Sequence, residues 1–166
     1  SAALEISRPQ PLWSEQDPAD WRLATNAAVN ALRRPLRAAV RAIGLSGQMH
    51  GATLLDKNHR ALRPAILWND GRSAPQCALL ERREPRSRAI TGNLAMPGFT
   101  APKLLWVAEH EPEVFRRTAA VLTPSARQGL RGRQRREDGV SRSGRVFSGI
   151  FWPLASVGGH EQLWNP

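Results

Sequence analysis

Two short stretches of this 166-residue sequence gather side chains that could do chemistry together. The first is Ser46-Gly47-Gln48-Met49-His50-Gly51. Its glycines let the backbone come close to a ligand. Gln48 and His50 carry both hydrogen-bond donors and acceptors, which suits the hydroxyls of a polyol. The same pattern also fits a histidine that is simply capped or solvated in a turn. The second stretch is Trp68-Asn69-Asp70-Gly71-Arg72. An indole offers a flat apolar face to the CH side of a sugar. Asp70 and Arg72 can pair with one another or hold hydroxyls. The alternative is a Trp68 that anchors a strand end and an Asp70 that caps the helix after it.

Both stretches follow segments that read as strands. Val40 to Leu45 reads as a buried strand ending in Ser46-Gly47. Ala52–Leu55 and Leu62–Leu67 read as two strands joined by the turn Asp56-Lys57-Asn58-His59. Polar turns at the carboxyl ends of strands are where α/β sheets place their ligands. Helices frame them. Asp17 is an N-cap, Pro18 fits the first helical position and Asp20 suits the first turn. Trp21, Ala24, Thr25, Ala28, Val29 and Leu32 then share one face, so the helix is expected to run to about Arg34. Ser73–Glu84 and Thr100–Glu109 read as two more helices, the latter with Leu104, Leu105 and Val107 partly buried. Glu5 to Pro11, with two prolines, reads as extended.

Composition narrows the classes. An apolar fraction of 41% is that of an ordinary globular domain. No apolar run approaches the roughly 20 residues of a membrane helix, and the first residues do not read as a secretory leader. The single cysteine, Cys77, fits a reducing cytoplasm. The formal charge of +10 invites a nucleic-acid reading. Against it, the positive charge is nearly all arginine spread along the chain, lysine occurs only at 57 and 103, and stacking aromatics are not interleaved with the basic stretches.

With these residues in place, a family resemblance is visible. Leu12-Trp13-Ser14-Glu15-Gln16-Asp17-Pro18 with Trp21, then Ala42–Gly51, then Pro64–Arg72, then Gly98–His110 with its Lys-x-x-Trp core, resemble in order the N-terminal domain of xylulokinases. These belong to the FGGY family of carbohydrate kinases. The match runs from about Ile6 to Leu122, and Gln-Met-His favours xylulokinase over glycerol kinase. The resemblance implies an α/β fold, part of an actin-like ATPase or ribonuclease H-like domain with a mixed sheet and flanking helices. It implies transfer of the ATP γ-phosphate to O5 of D-xylulose, a pentulose, with Mg2+. It further implies that Gln48, Met49 and His50 bind substrate, that Trp68, Asp70 and Arg72 border the sugar cleft, and that Lys103 and Trp106 are signature residues of mainly structural role.

The sequence also departs from the family. The Asp-x-Gly-Thr/Ser turn that approaches the nucleotide phosphates is expected upstream of Ser1, and the catalytic Asp and adenosine-binding domain beyond residue 166. No G-x-x-x-x-G-K-[ST] loop substitutes for them. The organisation expected is therefore a partial kinase domain over 1–122, inactive by itself, followed by a tail over 123–166. That tail, rich in Arg, Gly and Ser, has no period of 3.6 or 2 and reads as poorly ordered or out of frame. A non-catalytic sugar-binding remnant, or an Arg-rich nucleic-acid binder, is the alternative.

Overall fold

In the computed structural model, the structure of the protein is described for residues 1–42 and 46–124. Among these described residues four short strands and six helices follow in order. These are β1 (Glu15–Gln16), α1 (Pro18–Asn30), α2 (Arg34–Ala38), β2 (Thr53–Leu55), β3 (Ala65–Ile66), α3 (Ala74–Arg83), α4 (Ser87–Thr91), α5 (Thr100–His110), α6 (Pro112–Arg117) and β4 (Ala120–Leu122). Strands β1 and β3 pair antiparallel, Glu15 opposite Ile66 and Gln16 opposite Ala65. Strands β2 and β4 do the same, Thr53 opposite Leu122 and Leu55 opposite Ala120. A bridge between Ala52 and Ile66 links the two pairs.

Strand β3 is sandwiched. Successive side chains of a strand point to opposite faces. Ile66 accordingly joins Ala52, Leu54, Trp106 and Val107 beneath α5, while Ala65 and Leu67 pack on Trp21 of α1. Trp21 is fixed by its indole N–H, which donates to Gln16 Oε1 at 2.9 Å.

Local chemistry explains most boundaries. The Asp17 carboxylate accepts from the Ala19 N–H, capping α1 with Pro18 just inside. The hairpin tip forms as expected, Asp56 Oδ1 accepting from the N–H groups of Asn58 and Arg60. The helix expected to reach Arg34 instead ends at Asn30, and α2 begins afresh at Arg34. Pro35 accounts for the break: it has no N–H to continue the ladder but fits a first helical turn. Only Pro18 and Trp21 of α1 are buried, so Val29 and Leu32 on the expected apolar face are exposed. The expected strand from Leu62 contracts to Ala65–Ile66 behind Pro64. Val40, Arg41 and Ala42 are irregular and exposed; the rest of the strand expected there, 43–45, lies outside the described residues. So does almost all of the expected tail, from 125 onward.

Candidate functional site

Beneath the second polar stretch lies a buried ionic cluster. Asp70 is 1% exposed. Its Oδ2 accepts from the Ser14 N–H at 2.6 Å and from Arg72 Nη2 at 2.7 Å, and its Oδ1 accepts from the Arg72 N–H and Nε. The Arg72 guanidinium also reaches Glu15 at 2.7 Å. Glu15 in turn pairs with Arg63, whose other nitrogen holds Glu111 at 2.6 Å. The Arg72 guanidinium lies 3.6 Å from the centroid of Trp13 and 4.9 Å from that of Trp106. Those two indoles meet edge to face at 5.2 Å. Each charge is thus paired, and the Arg72 guanidinium is stacked as well, conditions under which buried ions are tolerated. The cluster joins β1, the segment after β3, and α5.

The first stretch sits on a different support. His50 adopts φ = +58°, a left-handed conformation uncommon for a residue with a Cβ. Its carbonyl accepts from Lys103 Nζ at 3.1 Å and from Thr100 Oγ1 at 3.2 Å. The same ammonium donates to the carbonyls of Gly98 and, at 3.4 Å, Phe99. The Phe99 ring packs on the His50 ring with centroids 4.7 Å apart. Gly98 completes the junction: a Cβ there would stand 2.7 Å from the Trp68 carbonyl oxygen, so only glycine permits the approach. Residues 46–51, 68–72 and 98–103 therefore meet around Lys103, which is fully buried. Burial pushes its amine down to about 8; Asp70 works against that shift and Arg72 adds to it.

The sequence-expected residues divide into two sets. Met49 and Trp68 are 70% and 56% exposed, and His50 is exposed beside them in the chain. Gln48 is half-buried, and its Oε1 has no hydrogen-bond partner. Asp70 and Arg72 instead turn inward to one another, and Arg72 Nη1, also buried, has no hydrogen-bond partner. Lys103 and Trp106 are buried. Sequence reasoning missed Glu15, Arg63, Gly98 and Phe99. A charge inside the Trp13–Asp17 motif and a glycine just before Phe99 were the available signals.

Among the described residues no three His, Cys, Asp or Glu side chains converge on one point, and both buried carboxylates of the cluster already hold guanidinium groups.

Comparison with known proteins places this geometry. The model of the N-terminal domain of the FGGY family of carbohydrate kinases matches residues 1–127. A xylulose kinase of Escherichia coli K12 is 64% identical over 123 residues, 73% of this chain and 25% of that protein. A solved xyloylose kinase from Brucella ovis superposes with a TM-score of 0.74 at 55% identity, covering 78% of this chain and 28% of that one. A xylulose kinase from Rhodospirillum rubrum gives 0.68 at 32% identity, covering 76% of this chain and 28% of that one. The chain spans about a quarter of the length of the relatives it matches.

Proposed function

Since this chain belongs to the FGGY family of carbohydrate kinases, we propose that it supplies the sugar-gripping part of a kinase that phosphorylates D-xylulose. The observation that carries the reading is the bracing of the turn 46–51. His50 is held left-handed by Lys103 and Thr100, so Met49 and His50 stand at the surface on a fixed backbone. Gln48 Oε1, buried and unpartnered, is an acceptor awaiting a donor, and a sugar hydroxyl is one. Trp68 offers its exposed indole to the apolar edge of a pentulose. The names of the xylulose kinases matched above point to D-xylulose among pentuloses. Asp70 and Arg72 support the cleft through the cluster they form.

ATP and Mg2+ belong to this proposal as the phosphoryl donor and its counter-ion. What the described residues contribute is binding and orientation of the acceptor sugar, the positional component of phosphoryl transfer. Isothermal calorimetry with D-xylulose tests the reading. Heat of binding that D-xylulose gives and a hexose alcohol does not is the expected result. No binding by a chain shown to be folded would sink it. Retention on RNA that falls steeply with salt would favour the Arg-rich nucleic-acid reading instead.

A further inference from the structure

We propose that Lys103 is the positioning residue of the sugar turn: its ammonium ties the carbonyl of His50 to those of Gly98 and Phe99 and so fixes where Met49 and His50 stand. The inference deepens the sugar-turn reading and rests on it. Lys103 is fully buried in α5, yet no carboxylate bonds to its nitrogen among the described residues. A buried cation without a counter-ion is costly, and an apolar side chain would fill the same space without that cost. What an apolar side chain lacks is the polar head. An ammonium has three donors, and here three backbone carbonyls accept from it, one from the turn and two from the segment entering α5. The left-handed His50 sits at this junction with its ring against Phe99, so releasing the carbonyl frees both backbone and ring.

The amine titrates near pH 8, which makes the tie adjustable without substitution. The groups around it are Asp70 and Arg72 after β3, Cys77 on α3, and His50 itself. On deprotonation one donor is lost and a lone pair faces a carbonyl oxygen, so the tie slackens. The chain has no tyrosine and its other lysine, Lys57, lies in the hairpin tip, while the neighbouring Cys77 thiol, pushed up by burial, also ionises at alkaline pH, so the pH series is repeated in Cys77→Ser.

The test uses the whole 166-residue chain labelled with 13C-histidine, read by two-dimensional NMR, with the His50 signal assigned by its loss in His50→Asn. In Lys103→Met the His50 ring proton is expected to lose the ring-current shift it takes from Phe99. His110, stacked on Trp106 at 4.7 Å, keeps its own shift and reports that the fold is intact. In the unmodified chain the His50 signal is expected to move in the same direction between pH 7.5 and 9.5. If Lys103→Met fails to fold, seen as collapse of the His110 signal, the pH series decides alone. An unmoved His50 signal in a folded Lys103→Met, or none of this movement across pH 8 in the unmodified chain, overturns the proposal. D-xylulose affinity separates the two readings. A roughly tenfold loss in Lys103→Met supports both. A chain that binds no sugar while His50 responds as stated sinks the sugar reading and leaves the role of Lys103 standing. One that binds sugar while His50 stays indifferent sinks the positioning role alone.

Discussion

Arg72 and Lys103 are buried cations stabilised in opposite ways. Arg72 has two carboxylates and two indole faces, whereas Lys103 has only carbonyl oxygens. Removing one member of a buried ion pair leaves the other charged and desolvated, at about 3–5 kcal/mol. Asp70→Asn keeps the shape and deletes the charge. With Glu15 still on Arg72, a loss of about 3 kcal/mol is expected in urea unfolding. At the surface the stakes are smaller, because a hydroxyl hydrogen bond contributes about 0.5–1.5 kcal/mol net. His50→Ala should therefore weaken D-xylulose binding by a few-fold. His59→Ala, at the hairpin tip, and His110→Ala, at the end of α5, should leave it unchanged in calorimetry.

At the scale of elements, the segment entering α5 reaches the end of β3 through a glycine. A methyl at residue 98 would meet the Trp68 carbonyl at 2.7 Å, and the obstacle is backbone rather than a movable side chain. Gly98→Ala should displace the segment, lowering stability by about 1–3 kcal/mol in thermal unfolding and weakening sugar binding as well. Elements with local causes were legible beforehand: the Asp17–Pro18 start of α1, the Asp56 turn, and α5 with its apolar period. The division after Asn30 was not foreseen: the apolar spacing of Val29 and Leu32 carried the expected helix to about Arg34, and the missing N–H of Pro35 outweighed it. Long-range partnerships were not legible. Nothing near Glu15 in sequence shows that Arg63 and Arg72 converge on it, and nothing near Lys103 shows that it reaches His50, 53 residues away. The site was thus readable as residue types, while its division into surface and support depends on contacts that no spacing encodes.

For the molecule as a whole, the depressed amine of Lys103 becomes a dependence of stability on pH. Below about pH 8 both folded and unfolded chains hold the proton, so its contribution there is flat. Between about 8 and the ordinary 10.5 the unfolded chain binds more protons, so stability rises with pH, by about 1.4 kcal/mol per unit at most. Cys77, raised by burial and by Glu81, opposes this above pH 9, because the unfolded thiol ionises first. Urea midpoints of Cys77→Ser at pH 7, 8.5 and 10 should therefore climb, and adding Lys103→Met should remove the slope. Catalysis is also a property of the whole. This chain spans about a quarter of the length of the xylulose kinases it matches. A coupled assay with Mg-ATP and D-xylulose is expected to show no turnover by this 166-residue chain, and turnover tracking the purified protein would refute that.

The two-sided burial of β3 also bears on how the chain tolerates changes of length. Ile66 answers to α5 while Ala65 and Leu67 answer to α1, so shifting the strand by one position would trade those partners at a stroke. The exposed hairpin tip at 57–60 has no such double allegiance. Insertions and deletions accumulated under drift would be tolerated at that tip, while the stretch from Pro64 to Arg72 would hold its length even as its letters change.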